Sequence, residues 1–226
     1  MRILGAGGYG LVVESSPGRA TKLFYEANRD TVIDEYEYLT MAYDILHGKI
    51  ENVEVVKPYR LNNHPACFKG NIYLSGFEME ALNEPLDFVE QVHCLLGYRG
   101  DNIDESYSKI SSKKVISGSR GFFASPKTLV DIWEEEGSSM TLSTLANKMG
   151  QATKLLLQGG LLPVGVEWVW SNGKVYLIDF GSCKIIKPYN IQQYLYDIRL
   201  EGLGSDIYLP HPGYPNYDDF LEGFYS

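Results

Sequence analysis

A glycine-rich segment at the start of the chain has the composition and spacing of a phosphate-binding loop. Residues 5–10 read GAGGYG, and residues 11–14 (LVVE) continue them as a predicted strand. Glycine lets backbone N–H groups approach phosphate oxygens at places where a Cβ would intrude. In dinucleotide-binding loops the glycines lead into a helix instead. The segment therefore predicts a hairpin that covers phosphate groups, with contacts from Gly5, Gly7, Gly8, Tyr9 and Gly10.

Three charged residues further along the chain are of the types that hold and neutralise a polyphosphate. Lys22 lies in a predicted strand and offers an ammonium group to phosphate oxygens. Glu35, in a predicted helix, is its expected charge partner; Glu37 is the alternative, and the apolar pattern of residues 35–39 favours Glu35. Asp179 follows an apolar strand and offers a carboxylate to Mg²⁺. Phosphoryl transfer depends mainly on positioning and charge neutralisation, so this set predicts a phosphoryl-transfer site.

The N-terminal elements expected to position these residues are strands and a helix. Residues 2–24 predict two strands, a turn at residues 15–18 and a third strand that carries Lys22. The apolar spacing of residues 31–47 predicts an amphipathic helix that Gly48 ends. Two further segments rich in branched and aromatic side chains complete a predicted group of five strands and one helix: residues 53–61 and residues 71–79.

The rest of the chain predicts a mostly helical region that contains an insertion. After a connector at residues 80–84, Pro85 begins a helical run, and residues 97–139 form a polar, Gly- and Ser-rich insertion. Helical periodicity returns at residues 141–158 and stops at Gly159-Gly160. The shorter predicted features are a helix around residues 129–135, a hairpin of residues 168–170 and 175–178 that turns at Asn172-Gly173, a helix at residues 191–200 and an extended proline-containing stretch at residues 208–215.

The order of these features resembles that of the protein-kinase superfamily. A glycine loop, a strand lysine, a helix glutamate, a hinge-like strand and the tripeptide Asp179-Phe180-Gly181 follow one another across most of residues 1–185, apart from the insertion. The resemblance implies an α+β, bilobal protein-kinase-like fold. It has a five-stranded antiparallel N-lobe plus one helix at residues 1–80 and a reduced, mainly helical C-lobe at residues 81–226.

The resemblance also implies that ATP and Mg²⁺ bind between the two lobes. Phe77 is expected to limit the back of the adenine pocket, and the backbone of residues 78–80 to hydrogen-bond the base. The implied catalytic residues are Lys22, Glu35 and Asp179. The implied nucleotide contacts are Gly5, Gly7, Gly8, Tyr9, Gly10, Val12, Ala20, Lys22, Phe77, Glu78 and Glu80.

One kinase motif is missing before Asp179. A protein kinase carries a His-Arg-Asp loop there, whose aspartate accepts the proton of the acceptor hydroxyl. Residues 161–170 read LLPVGVEWVW, and no aspartate lies between Asp131 and Asp179. Glu167 is then the only acidic candidate for a second metal ligand, with a buried structural carboxylate as an equally weighted interpretation. Loss of the general base costs about 10²–10⁴-fold in rate, while positioning and metal binding still contribute.

These observations predict an atypical ATP-dependent kinase that transfers the γ-phosphate to a protein hydroxyl. The alternative is a pseudokinase, an interaction scaffold that does or does not bind nucleotide, which the missing aspartate favours. A third interpretation is a small-molecule kinase related to those that modify aminoglycosides or choline, although that family also expects an aspartate in this loop.

Composition argues against several other classes of function. The 226 residues are 44% apolar and carry a net charge of −9, with no Lys/Arg run longer than Lys113-Lys114, which argues against nucleic-acid binding. No secretory segment or apolar run of about 20 residues is present, so we expect a cytoplasmic protein without a membrane span. Cys67, Cys94 and Cys183 are odd in number and form no CxxC pair, which predicts reduced thiols and no structural metal.

Overall fold

The computed structural model of this chain describes residues 2–6, 10–24, 29–62, 66–73, 76–82, 86–87, 142–164, 166–186 and 217–226. The strands in these segments are β1 (Ile3–Ala6), β2 (Gly10–Ser16), β3 (Arg19–Phe24), β4 (Val53–Val55), β5 (Pro58–Asn62), β6 (Ala66–Phe68), β7 (Asn71–Tyr73), β8 (Gly76–Glu80), β9 (Leu86–Asp87), β10 (Leu161–Leu162), β11 (Glu167–Ser171), β12 (Lys174–Ile178) and β13 (Lys184–Ile185). The helices are α1 (Arg29–Leu46), α2 (Leu142–Gln158) and α3 (Tyr217–Tyr225).

An antiparallel sheet dominates the N-terminal region. Its five strands lie in the order β1-β2-β3-β8-β5. The expected mixed α/β class and antiparallel N-terminal sheet are therefore confirmed, but two predicted strands are divided. Residues 53–61 split into β4 and β5: Pro58 is the first residue of β5, a position where proline is tolerated, and β4 joins a different sheet. Residues 71–79 split into β7, which pairs with β6, and β8.

The side chains of β3 alternate between two apolar clusters on opposite faces of this sheet. Phe24 belongs to the large core together with Phe77 of β8. Leu23 belongs to a smaller cluster with Leu11, Val13, Phe68 and Tyr73. Residues two apart on a strand share a face, so Lys22 lies on the same face as Phe24, toward the large core.

Two glycines allow the strands on either side of β3 to approach it closely. A Cβ at Gly10 would overlap the carbonyl oxygen of Leu23, and one at Gly76 would overlap the carbonyl oxygen of Lys22. Both positions therefore require glycine for contact between backbones. Gly10 thus has a packing role in the sheet, at a position where the sequence predicts a phosphate contact.

Helix α1 packs one stripe of its surface into the large core, and Glu35 lies on that stripe. The buried apolar residues of the stripe are Val32, Leu39, Ala42 and Leu46. Glu35 is 3% exposed, whereas Glu37 faces solvent, because positions three, four and seven apart share a helix face. The helix ends as predicted, with Gly48 in the left-handed conformation at φ 67°.

A second sheet places β12 between β4 and β11, in the order β4-β12-β11-β9. β12 pairs parallel with β4 and antiparallel with β11. The predicted hairpin turn is confirmed, with Asn172 and Gly173 both at positive φ, 52° and 75°, as a type I′ turn requires. The helical run predicted from Pro85 is wrong at residues 86–87, whose backbone pairs with β11 as β9.

Helices α2 and α3 approach each other closely at two glycines. A Cβ at Gly150 would overlap the carbonyl oxygen of Phe220, and one at Gly223 would overlap that of Asn147. Phe220 and Phe224 of α3 are both buried in the large core. The sequence predicted α2 correctly but did not predict α3.

Several predictions concern residues outside the described segments. They are the helical run beyond residue 87, the insertion at residues 97–139 with its short helix, the helix at residues 191–200 and the extended stretch at residues 208–215. The division into an N-lobe and a C-lobe also stays a prediction. None of the helices in the described segments is long and apolar enough to cross a membrane.

Candidate functional site

The ammonium group of Lys22 lies between two carboxylates that come from distant parts of the chain. Lys22 Nζ donates to Glu35 Oε1 at 2.5 Å and to Asp179 Oδ1 at 2.9 Å. The side chains of Lys22 and Glu35 are 12% and 4% exposed, whereas that of Asp179 is 41% exposed. The structure thus brings together the three residues that the sequence singled out for catalysis, with Asp179 on the side that solvent reaches.

Each of the three side chains is positioned by a different element. Lys22 projects from the core face of β3, where its Nζ lies 5.4 Å from the centre of the Phe24 ring. Glu35 comes from the buried stripe of α1, and Asp179 directly follows the last residue of β12. Because strand, helix and strand end all pack on one apolar core, their polar side chains meet at its edge.

Asp179 holds a backbone conformation that is uncommon for a residue with a Cβ. Its φ is 59°, in the left-handed region, which aspartate tolerates better than most residues and which costs about 1–3 kcal/mol. The next residue, Phe180, is 1% exposed, and its carbonyl accepts the Cys183 N–H at 3.1 Å. Burial of Phe180 and this turn maintain the conformation that directs Asp179 toward Lys22.

The site has two acidic side chains and one basic side chain, of which Lys22 and Glu35 are largely buried. Burial opposes the charged form of Lys22, but the carboxylates of Glu35 and Asp179 outweigh it, so the pKa of Lys22 is raised. Burial raises the pKa of Glu35, and pairing with Lys22 only partly opposes this effect. Lys22 therefore remains a cation at neutral pH, with two acidic side chains beside its single positive charge.

These groups suit a bound nucleotide with its metal. A lysine ammonium is a compact cation for phosphate oxygens, and carboxylate oxygens are preferred ligands of Mg²⁺. Magnesium in nucleotide sites usually takes only one or two carboxylates and completes its shell with phosphates and water. The exposed carboxylate of Asp179 beside the Lys22 ammonium fits that pattern.

Glu167, the candidate second metal ligand, lies on the strand beside the one that leads to Asp179. The register of β11 and β12 places Glu167 opposite Ile178, the residue before Asp179. Glu167 is partly exposed. No group of three or more His, Cys, Asp or Glu side chains is arranged to hold a metal within the described segments. A metal at this site would therefore need phosphate oxygens of the nucleotide as further ligands. The role of Glu167 as a metal ligand stays a prediction.

The residues predicted to contact the adenine base lie on or beside the central strand β8. Phe77 faces the core, with its ring centre 6.1 Å from that of Phe24 and 5.7 Å from that of Tyr36. The backbone of Glu78 lies within a strand that β3 and β5 flank on both sides. Glu80 ends this strand, and its N–H donates to the Lys57 carbonyl at 2.9 Å.

The remaining predicted nucleotide contacts lie around β1 to β3. Val12 is opposite Lys22 in the sheet, and Gly5 is opposite Val12. Ala20 is 1% exposed and pairs with Met79 of β8. Gly7, Gly8 and Tyr9 lie outside the described residues. Of the described members of this set, Val12 therefore lies next to Lys22 and the others lie further along the same sheet, and their contact with nucleotide stays a prediction.

Sequence reasoning did not identify two features near the site. The Cys183 thiol lies 3.8 Å from the Val164 carbonyl oxygen, and burial raises the pKa of Cys183 to about 12, so the thiol stays neutral. The carboxylate of Glu78 pairs with Arg60 and Arg19 across the sheet. No local pattern marks either contact, because each joins residues from different elements.

Comparison with known proteins gives a weak structural likeness. No protein-family model matches the chain, and no curated protein sequence matches it. An ADP-bound aminoglycoside phosphotransferase, APH(2″)-Ib, is 15% identical with a TM-score of 0.29, over 83% of this chain and 67% of that one. The ternary complex of APH(2″)-IIa with streptomycin and ATP is 16% identical with a TM-score of 0.34, over 99% and 78%. Likeness of this degree assigns no family to the chain.

Proposed function

We propose that this protein is an atypical kinase-like phosphotransferase that binds ATP with Mg²⁺ and transfers the γ-phosphate to a hydroxyl group. The observation that carries the proposal is the placement of Lys22 Nζ within hydrogen-bond distance of both Glu35 and Asp179. An ordinary structural ion pair needs one carboxylate. A bound metal needs a carboxylate that is accessible from solvent, and a polyphosphate needs an ammonium group beside it; Asp179 and Lys22 offer this combination.

Each residue has a separate task in this proposal. Glu35 holds Lys22 in place, because its own side chain is fixed on the buried stripe of α1. Lys22 orients the triphosphate by donating to its oxygens. Asp179 binds the metal through its exposed carboxylate, with Glu167 as the candidate for a second contact. When bound, Mg²⁺ neutralises charge on the phosphate groups. The glycines of residues 5–10 are proposed to cover the phosphates, in a two-lobed arrangement with ATP between residues 1–80 and residues 81–226.

The proposed acceptor is a hydroxyl group on a protein. The loop before Asp179 lacks the aspartate that would accept the proton of this hydroxyl. Positioning and charge neutralisation supply most of the acceleration in phosphoryl transfer, because the transition state is loose and the proton leaves late. We therefore expect turnover that is slower by about 10²–10⁴-fold than with a general base present.

A nucleotide-binding scaffold without catalysis is the second candidate. One specific observation favours it, the absence of any aspartate between Asp131 and Asp179. In that case ATP would rigidify the protein without being consumed. The two candidates share the site around Lys22 and differ only in whether phosphate is transferred.

Thermal unfolding with and without Mg-ATP tests the site, and labelled ATP tests the transfer. We expect Mg-ATP to raise the Tm of the wild type, since a ligand that binds only the folded state stabilises it. Asp179→Asn keeps the shape of a side chain that is 41% exposed, so it should fold and lose most of this shift. Lys22→Ala should lose it as well. Lys174→Ala is the matched control, because Lys174 is also a strand lysine paired with a glutamate, Glu54, at 3.4 Å.

The outcomes separate the candidates. Labelling of the protein or of an added protein substrate that depends on Lys22 and Asp179 supports phosphotransfer. An ATP-dependent rise in Tm without any labelling supports the scaffold. If Mg-ATP leaves the Tm unchanged at millimolar concentration, or if Lys174→Ala loses the response as fully as Asp179→Asn, the proposed site is wrong.

A further inference from the structure

A cluster of basic side chains lies on the N-terminal sheet, on the face opposite Lys22. We call Arg19, Lys57 and Arg60 the basic cluster. Arg19 is three residues from Lys22 on β3, so it points to the other face. Arg60 is opposite Glu78 in the pairing of β5 with β8, and Glu78 is opposite Thr21 of β3, so Arg60 shares the face of Thr21 and Arg19. This surface lies on the face of the sheet opposite Lys22, and it shares Glu78 with the strand whose backbone is predicted to contact the adenine base.

A single buried carboxylate holds both arginines of the cluster. Arg60 Nη2 donates to Glu78 Oε1 at 2.6 Å, and Arg19 Nη1 lies 3.6 Å from Glu78 Oε2. The Glu78 side chain is only 10% exposed, whereas those of Arg19 and Arg60 are 47% and 67% exposed. The carboxylate thus lies beneath two guanidinium groups and orients them, while their outer surfaces remain open to solvent.

An aromatic ring supports the other side of the cluster. The guanidinium carbon of Arg19 lies 4.1 Å from the centre of the Tyr59 ring, and Lys57 Nζ lies 5.8 Å from it. Stacking of this kind restrains a flexible arginine and lowers the entropy lost when it binds a ligand. Tyr59 therefore links Lys57 to the pair of arginines in one continuous surface.

Among the residues that the structure describes, most N–H donors of the two arginines have no partner. A guanidinium group has five N–H donors. Among the described residues, the two arginines share the one carboxylate of Glu78, and the Glu80 carboxylate accepts from the backbone N–H of Lys57, on a chain whose net charge is −9. The surface therefore suits an anion with several acceptor oxygens.

We propose that the basic cluster binds the phosphate group of a phosphorylated ligand. A phosphate monoester carries close to two negative charges and three acceptor oxygens, so it can accept from both guanidinium groups at once while Glu78 stays in place. A ligand carboxylate would bring only one negative charge, and the two arginines already pair with one carboxylate, that of Glu78. The proposal does not depend on phosphotransfer at Lys22.

Titration with phosphate compounds tests the site directly. The probes are inorganic phosphate and the tripeptide Ala-phosphoserine-Ala, with Ala-Ser-Ala as the comparison that lacks the phosphate, at constant ionic strength. The readout is the NMR shift of the side-chain Nε–H signals of Arg19 and Arg60. The variants are Arg60→Gln and Arg19→Gln. Arg2→Gln is the matched control, because the side chain of Arg2 is 66% exposed and pairs with Glu14 on the same sheet.

We expect saturable shifts in the wild type and in the control Arg2→Gln. Arg60→Gln and Arg19→Gln should each bind at least tenfold more weakly, because each loses a charge-assisted hydrogen bond. Equal affinity for both probes would support recognition of the phosphate alone, and tighter binding of the tripeptide would support a phosphorylated protein segment. The inference is overturned if neither probe gives a saturable shift, or if both arginine variants bind as the wild type does. Retention of the Mg-ATP response by Arg60→Gln would separate this site from the one at Lys22.

Discussion

Gly181 lies directly against the carboxylate of Glu35. A Cβ at position 181 would be 3.0 Å from Glu35 Oε2 and 3.4 Å from its Cδ, while Glu35 Oε1 accepts from Lys22. The same Cβ would lie 3.7 Å from Asp179 Oδ1. The turn after Asp179 and the buried ion pair are therefore in contact, and a side chain at position 181 would press on the Glu35 carboxylate.

Gly181→Ala should weaken Mg-ATP binding. The added methyl group would displace the Glu35 carboxylate by a few tenths of an ångström, which lengthens its hydrogen bond to Lys22. We expect a tenfold or greater loss of affinity in an ATP titration, corresponding to about 1.4 kcal/mol, with a smaller change in Tm in the absence of nucleotide. Ser182→Ala, at the exposed neighbouring position, is the control and should bind ATP as the wild type does. Equal affinity of Gly181→Ala and the wild type would refute this coupling.

The pH dependence of stability should show the unusual environment of Glu35. Its pKa in the folded protein is raised above the ordinary 4.5, chiefly by burial. Between the unfolded and the folded pKa, the folded state therefore holds a proton that the unfolded state has released. The stability that this proton supplies is fully present below about pH 4.5, and it is lost as the pH rises through the folded pKa. The free energy of unfolding of the wild type, minus that of Glu35→Gln, should therefore decrease as the pH rises from about 4.5 through the folded pKa.

Urea unfolding of both proteins at several pH values measures this difference. Glu35→Gln serves as the reference because glutamine has the same shape and does not titrate. An ordinary ion pair, which lowers the pKa of its carboxyl group, would produce the opposite slope. A difference that increases with pH would therefore contradict a raised pKa for Glu35.

Cys183 should resist alkylation in the folded protein. Its thiol is buried, and its pKa is raised from 9.0 to about 12, so almost no thiolate forms near pH 8. Cys67 is exposed and should react readily. Peptide mass spectrometry after treatment with iodoacetamide should find Cys67 modified in native protein and Cys183 modified only after addition of guanidinium chloride. Modification of both thiols at similar rates in native protein would be inconsistent with this environment.

Gly223→Ala should destabilise the protein, although alanine is the better helix former. In an open helix this replacement would stabilise by up to about 1 kcal/mol. At position 223 the methyl group would overlap the Asn147 carbonyl oxygen of α2, and we expect a net loss of about 1–3 kcal/mol in the free energy of unfolding. Glu222→Ala, at the exposed adjacent position of α3, should change it by less than about 0.5 kcal/mol. A gain in stability for Gly223→Ala would show that α2 and α3 do not pack in this way.

Local sequence was sufficient for features that depend on backbone preference or periodicity. The turn at Asn172-Gly173 needs two residues that accept positive φ, and the end of α1 needs one, at Gly48. The prediction that Glu35, and not Glu37, is the charge partner of Lys22 followed from the apolar pattern of a single helix. Such features are encoded within a few residues, so they do not depend on the remainder of the fold.

Strand pairing was less predictable because each partner is chosen from the whole chain. Residues 53–61 appear as one β-rich segment, yet β4 pairs with β12, which begins more than a hundred residues later, while β5 pairs with β8. Residues 86–87 were predicted as helix, because the stretch after Pro85 has helical spacing, and instead pair with β11. The contact of α3 with α2 depends on two glycines that no periodic pattern connects.

The order of residues along the chain was enough to predict a strand lysine, a helix glutamate and an aspartate after a strand. The packing of the fold brings Lys22 and Asp179, 157 positions apart, to 2.9 Å, and it places Arg19 and Arg60 on one buried carboxylate on the opposite face of the sheet. This difference arises because side-chain direction along a strand or helix is a local property. The distance between two elements depends on how their apolar faces pack together.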